Sequence, residues 1–232
     1  MIRHRVRMQQ HRRESGMTLV ELVVAMAVSG ILFAMISSMF VSAIRSYGDQ
    51  RGSVTNSRMA SNSMNELTRI IRAGTEIPVY GSAINNPVFV YAGSEQLKMN
   101  SFIDSENAAD PAPLQVQFSR DANDNLVETR WTAYHVNTTY WAFHSTLDST
   151  RIVARSLTAA TDDAPLFSYY AEDGTRLVPP AGESLSDSQI RNIASVRVTM
   201  RVQTDGSGRV DPVELQNMVG IPNLGVARVE VD

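Results

Sequence analysis

Two hydrophobic patterns divide the chain. From Leu22 to Ile44, 23 residues pass without a charge, and most are apolar. A helix of that length rises roughly 35 Å, enough for a bilayer core of about 30 Å. So long an uncharged run disfavours the buried helix of a soluble protein. Ala60, Met64, Leu67 and Ile71 then recur at spacings of four, three and four. That period predicts that the helix continues with one apolar face, packed on a globular part rather than forming a Met-rich ligand groove. Gly74 is the predicted stop. Gly48 and Gly52 each cost about 1 kcal/mol relative to alanine and predict a bend or weak point.

Beyond Gly74 the period changes from helical to alternating. Leu114, Val116 and Phe118 alternate with Gln115 and Gln117. Residues 119–125 carry turn chemistry, and Leu126 to Val136 reads as the return strand of a hairpin. Further strands are predicted over 140–147 and 151–157. A hairpin is predicted from 166–170, through Asp173-Gly174, to 176–178. Val196, Val198, Met200 and Val202 alternate within 193–202, and 210–219 returns after the turn at Asp205 to Gly208. The loops 78–87 and 104–113 are polar and rich in Pro and Asn, as surface excursions are. The expected fold class is α+β, a long N-terminal helix packed on a mainly antiparallel sheet domain. The expected organisation is a leader over 1–16, an apolar helix over 17–44, its amphipathic continuation over 45–74 and a β-rich domain over 75–232.

Charge sharpens the N-terminal picture. Residues 1–16 hold five arginines and one acid, a local charge of +4, against a formal net charge of −3 for the whole chain, which leaves −7 elsewhere. The basic cluster should stay cytoplasmic, with everything after Arg45 outside. The balance gives no reason to expect direct nucleic-acid binding. There are no cysteines, which excludes disulfides, thiolate zinc sites, iron–sulfur clusters and thiol nucleophiles. Val41-Ser42-Ala43 is a passable signal-peptide cleavage site with Ile44 as the new terminus. An uncleaved single-pass anchor fits the length of the run. Glu21 argues against both, because an acid at the edge of an apolar span needs a partner.

Gly16-Met17-Thr18-Leu19-Val20-Glu21, with a short basic leader before it and an apolar run after it, resembles the type III signal of type IV prepilins and type II secretion pseudopilins. The resemblance implies a pilin-like fold and cleavage between Gly16 and Met17 by a prepilin peptidase, which also N-methylates Met17. It implies that Glu21 pairs with the freed amine of a neighbouring subunit. It implies other pilin subunits and an inner-membrane assembly platform as partners. Gly30, Ser29, Ser37, Ser38 and Ser42 supply small surfaces for helix packing. No proline falls between Met17 and Arg72, a departure from many major pilins. The strand–turn pattern of 166–174 and the late Val-x-Val-x-Met-x-Val strand resemble the J-type minor pseudopilins and W-type minor pilins, which sit at filament tips.

Catalytic chemistry is sparse. No zincin, nucleophile-elbow, phosphate-loop or dinucleotide motif occurs, so no enzyme and no cofactor is expected. His135 and His144 lie on predicted strands, without the clustered carboxylates that a metal would need. Asp121, Asn123 and Asn125 have the spacing of a calcium loop, but Leu126 and Thr132 stand where glycine and a bidentate acid are required, which predicts a turn. Asp205 and Asp211 form a second, weaker calcium candidate. Trp131, Trp141, Tyr134 and Tyr140 are expected in the core or on a sheet face, where a patch could dock a partner. The competing class is an anchored or secreted β-rich binding module, and a third is an anchored hydrolase without a recognisable motif.

Overall fold

The computed structural model describes residues 17–103, 111–137, 140–158, 164–203 and 211–222. The chain divides into two units, Met1–Gly48 and Asp49–Asp232. Helix α1 (Leu19–Arg72) supplies all the described regular structure of the first unit and the opening element of the second. In the first unit no described residue is buried, and Leu19, Phe33, Met39 and Phe40 are each at least two-thirds exposed. α1 is also the one described helix long and apolar enough to cross a membrane.

From Asp49 onward the predicted stripe is real. Ala60, Met64, Leu67 and Ile71 are all buried, joined by Ile70. Gly74 lies just beyond the helix end, but its backbone is not in the left-handed region. It is small because a Cβ there would meet Val88 Cγ1 at 2.7 Å and Met99 Cε at 2.8 Å.

Two antiparallel sheets receive this half of the helix. The first contains β1 (Phe89–Ala92), β2 (Gln96–Ser101), β3 (Leu114–Arg120), β4 (Leu126–Val136) and β5 (Tyr140–Phe143) in that order, with β6 (Ser149–Ala154) also paired to β4. The second contains β7 (Phe167–Tyr170), β8 (Arg176–Leu177), β9 (Ser195–Val202) and β10 (Val213–Gly220) in the order β10-β9-β7-β8. A single-turn helix, α2 (Asp187–Ile190), packs near β1. The 114–118, 126–136 hairpin, the β7–β8 hairpin and the β9–β10 pair match the alternation in the sequence. β1 and β2 were not expected. They follow the loop over 78–87, which is pinned by the Ile77–Asn86 bridge.

The core combines helix and strand residues. Phe89, Leu97, Met99, Val116, Phe118 and Leu126 from the first sheet are buried, as are Phe167, Tyr169, Val196, Val198, Met200 and Val202 from the second. Polar ties fix the helix to both. Ser63 donates to the Val153 carbonyl at 2.7 Å, Ser101 to the Ile70 carbonyl at 3.2 Å, and the Asn217 amide to Thr68 Oγ1 at 2.9 Å. Tyr169 is fully buried and its hydroxyl donates to the Gly93 carbonyl at 2.7 Å, linking the sheets. Burial holds that phenol well above its ordinary pKa.

Among the described residues one acid is buried. Glu128 is 1% exposed and accepts from Arg130 and from Arg151, the latter at 2.6 Å. Arg151 also pairs with Glu66 of α1, and Glu66 pairs with Arg69 at 2.9 Å. Burial pushes the Glu66 carboxyl upward, but Arg69 and Arg151 outweigh it and hold the group below the ordinary glutamate range. Five charged groups thus clamp the helix to β4 and β6.

Candidate functional site: the N-terminal segment

The described chain begins at Met17, so Gly16 and the basic leader lie outside it. Met17 is exposed and precedes the helix. Thr18 caps α1. Its carbonyl accepts the Leu22 amide at 3.1 Å, and its hydroxyl accepts the Glu21 amide at 3.2 Å. Glu21 reaches back in return. Its Oε2 accepts from the Thr18 amide at 2.9 Å and from the Thr18 hydroxyl at 3.1 Å. This is a reciprocal capping box, Thr-x-x-Glu, which satisfies two of the amides that a helix start leaves open. The three-residue spacing is visible in the sequence and marks Thr18 as the hydrogen-bonding partner of Glu21.

The capping box places the carboxylate where the helix dipole favours it. It also leaves Glu21 Oε1 with no hydrogen bond among the described residues. A positive group approaching from another chain therefore finds an acceptor already oriented by its own backbone. An amine at Met17 would sit at the same positive end of the dipole, which disfavours positive charge there.

Further along the stem, Ala34, Ser38, Ser42, Ala43 and Ser46 line a shallow groove flanked by Ile31, Met35 and Met39. Ser37 joins Ser38, Val41, Ser42 and Arg45 along a neighbouring groove. A Cβ on Gly30 would meet nothing within 4 Å. No contact among the described residues explains a glycine there.

The other candidate residues do not assemble into a site. His135 pairs across β4–β5 with Trp141, whereas the His144 amide donates to the Thr132 carbonyl and its ring lies 4.8 Å from Tyr134. Strand parity places the two histidines on opposite faces, so they cannot share a metal. Asp121 closes the β3–β4 turn. Its carboxylate accepts from Asn123 N and Asn125 N, both at 2.8 Å, and from Asn125 Nδ2 at 2.9 Å. Asn125, through side chain and backbone, holds that carboxyl below its ordinary range. Asp124 takes the left-handed backbone that the turn requires. Asp205 lies outside the described residues, and no group of three or more potential metal ligands occurs among the described ones. The four aromatic residues split by parity. Trp131 and Trp141 share one face, where Lys98 Nζ lies 3.9 Å over the Trp131 ring, and Tyr134 and Tyr140 take the other.

Residues 11–37 match the model of the prokaryotic N-terminal methylation motif. No curated protein and no solved structure matches the chain. The matched segment spans the leader end, the capping box and the first half of the exposed apolar helix. The chain carries the N-terminal signal of a type IV prepilin- or pseudopilin-type precursor.

Proposed function

We propose that the protein is a minor prepilin or pseudopilin, a structural or priming subunit of a type IV pilus, type II secretion or DNA-uptake filament. A prepilin peptidase cuts between Gly16 and Met17 and N-methylates Met17. The stem crosses the cytoplasmic membrane with its N-terminus inside and its sheet domain outside. On assembly it leaves lipid for the company of other stems. The J-type and W-type minor subunits are the nearest models for its position, at or near a filament tip. The observation that carries this reading is the methylation motif joined to an apolar helix that stays exposed along its first unit.

Energetically, stem-on-stem packing replaces lipid contact with close helix contact through small residues. The Met17 amine of one subunit and the Glu21 carboxylate of the next neutralise each other, and a shifted subunit would leave both unpaired. Register follows from that pairing.

Amino-terminal mass spectrometry of protein from cells tests the proposal. N-methylated Met17 is expected. Ile44 at the terminus would identify an ordinary secreted module, and a start at Met1 an uncleaved anchor. Either result refutes the processing claim. Gly16→Ala is expected to keep the leader attached and the protein in the membrane. Glu21→Ala is expected to be cut normally yet to enter filaments poorly, as measured by the ratio of sheared to membrane-bound protein.

A further inference from the structure

The stretch from Trp131 to His144 holds both tryptophans of the chain and no Asp, Glu, Lys or Arg. It forms the end of β4 and all of β5, and each described residue in it is at least partly exposed. Cross-strand register sorts its side chains by face. Trp131 stands opposite Gln115, and Gln115 opposite Asn100. His135 stands opposite Trp141, with ring centroids 3.7 Å apart. Strand parity turns all of these away from the buried row of Leu97, Phe118 and Leu126. Next to them, Lys98, Gln117, Thr129 and Thr150 cross the same face. Among the described strand residues this face carries no acid, although the unit Asp49–Asp232 has a formal charge of −7.

The face runs into a cleft of about 390 Å³, where Asn100 and Gln115 are joined by Asn86, Asp187 and Arg191, with Ile190 as apolar wall. That volume suits a small molecule or the end of a chain. Asp187 and Arg191 contribute one charge of each sign. Gln115 Nε2 donates to Oδ1 of the buried Asn100 at 3.1 Å, and Asn100 Nδ2 donates to the Pro87 carbonyl at 2.9 Å, so these amides are held in place before anything binds.

Rings interleaved with amides and hydroxyls do not form the dry centre that a protein interface needs. A sugar chain carries the matching pattern. Its apolar C–H faces lie on aromatic rings, and its hydroxyl and acetamido groups pair with side-chain amides, which donate and accept alike. Trp131 and the His135–Trp141 pair stand four residues apart along β4, about 13 Å, and so address separate rings of one extended chain. We propose that this face of the first sheet, with the cleft at its edge, binds an extended β-linked chain of N-acetylated hexosamine units. The site lies within the sheet-bearing unit and does not rest on the filament reading.

Both tryptophans lie on this face, so intrinsic fluorescence of the full-length chain, in a detergent without a sugar headgroup, reports on it directly. Chitotetraose should give a saturable change. Cellotetraose, which lacks the acetamido groups, should bind at least roughly fivefold more weakly. In calorimetric titrations Trp131→Ala and Gln115→Leu should each weaken chitotetraose binding at least roughly fivefold. Gln115→Leu nearly keeps the side-chain volume, so the test stands should Trp131→Ala fail to fold. No saturable change up to about 10 mM chitotetraose overturns the proposal, as does binding that both variants leave intact or that cellotetraose matches. Co-sedimentation of the parent chain with chitin particles and with purified peptidoglycan sacculi separates the sources. Pelleting with sacculi assigns the chain to the cell's own wall, pelleting with chitin alone assigns a foreign polymer, and pelleting with neither overturns the proposal.

Discussion

Glu128 illustrates how one residue can carry more constraint than its sequence neighbourhood reveals. Leu126, Glu128 and Arg130 point the same way along β4, so an acid sits on the face that buries Leu126. It is tolerated because Arg130 and Arg151 meet it. Removing the carboxylate strands two guanidinium groups. Arg151 is half-exposed and can turn to water, so the cost should fall below that of a fully buried pair. Glu128→Ala is expected to cost about 2–3 kcal/mol, lowering Tm by roughly 4–12 °C for a unit of this size, measured by thermal melts in circular dichroism. Glu66 adds a pH dependence. Its folded pKa is depressed, so its contribution is complete above the ordinary glutamate range and is lost as pH falls through the folded value. Denaturant melts from pH 6 downward should show that acid arm, and Glu66→Gln should flatten it.

At the scale of elements, α1 contains two different uses of one helix. Beyond Gly48 its apolar residues lie at helical period and bury against strands, so the fold was legible there from spacing alone. Before Gly48 the apolar residues surround the helix and stay exposed among the described residues. Long alternating strands such as β3, β4 and β9 were legible for the same reason. β1 and β2 were not. Phe89–Ala92 is only four residues long, and Gln96–Ser101 offers just Leu97 and Met99 as alternating apolar positions among polar neighbours. Tertiary contact with Gly74 and Val88 makes them strands, and local pattern does not carry that information. The capping box is written in the sequence as Thr18-x-x-Glu21 just before the apolar run.

Gly30 within the helix and Gly74 just beyond its end make opposite predictions. Gly74→Ala drives a methyl into Val88 and Met99 and should cost about 1–3 kcal/mol in the same melts. At Gly30 a Cβ meets nothing within 4 Å among the described residues, which makes Gly30→Leu the contrasting test. It should leave thermal stability and cleavage unchanged while reducing filament entry, measured by the sheared fraction. Undiminished entry would place Gly30 away from every stem contact.

For the molecule as a whole, the packed core and the exposed apolar stem occupy separate stretches of sequence. The first buried residue along the described chain is Asn56, and every residue of the hydrophobic core lies between Ala60 and Ile221. The unit Asp49–Asp232 carries both sheets, the clamp around Glu128 and a formal charge of −7, since the +4 of residues 1–16 and the Glu21–Arg45 balance fall before it. Such a unit needs no lipid to complete its core, and its net charge favours solubility. Residues 49–232 produced alone should therefore be monomeric by size exclusion and melt within about 3 °C of the full-length chain in detergent, because a change of 1 kcal/mol moves Tm by only a few degrees at this size. A much lower melting point would mean that the apolar stem contributes to the folded core. The division between a self-sufficient sheet domain and a stem that awaits other chains would then fail.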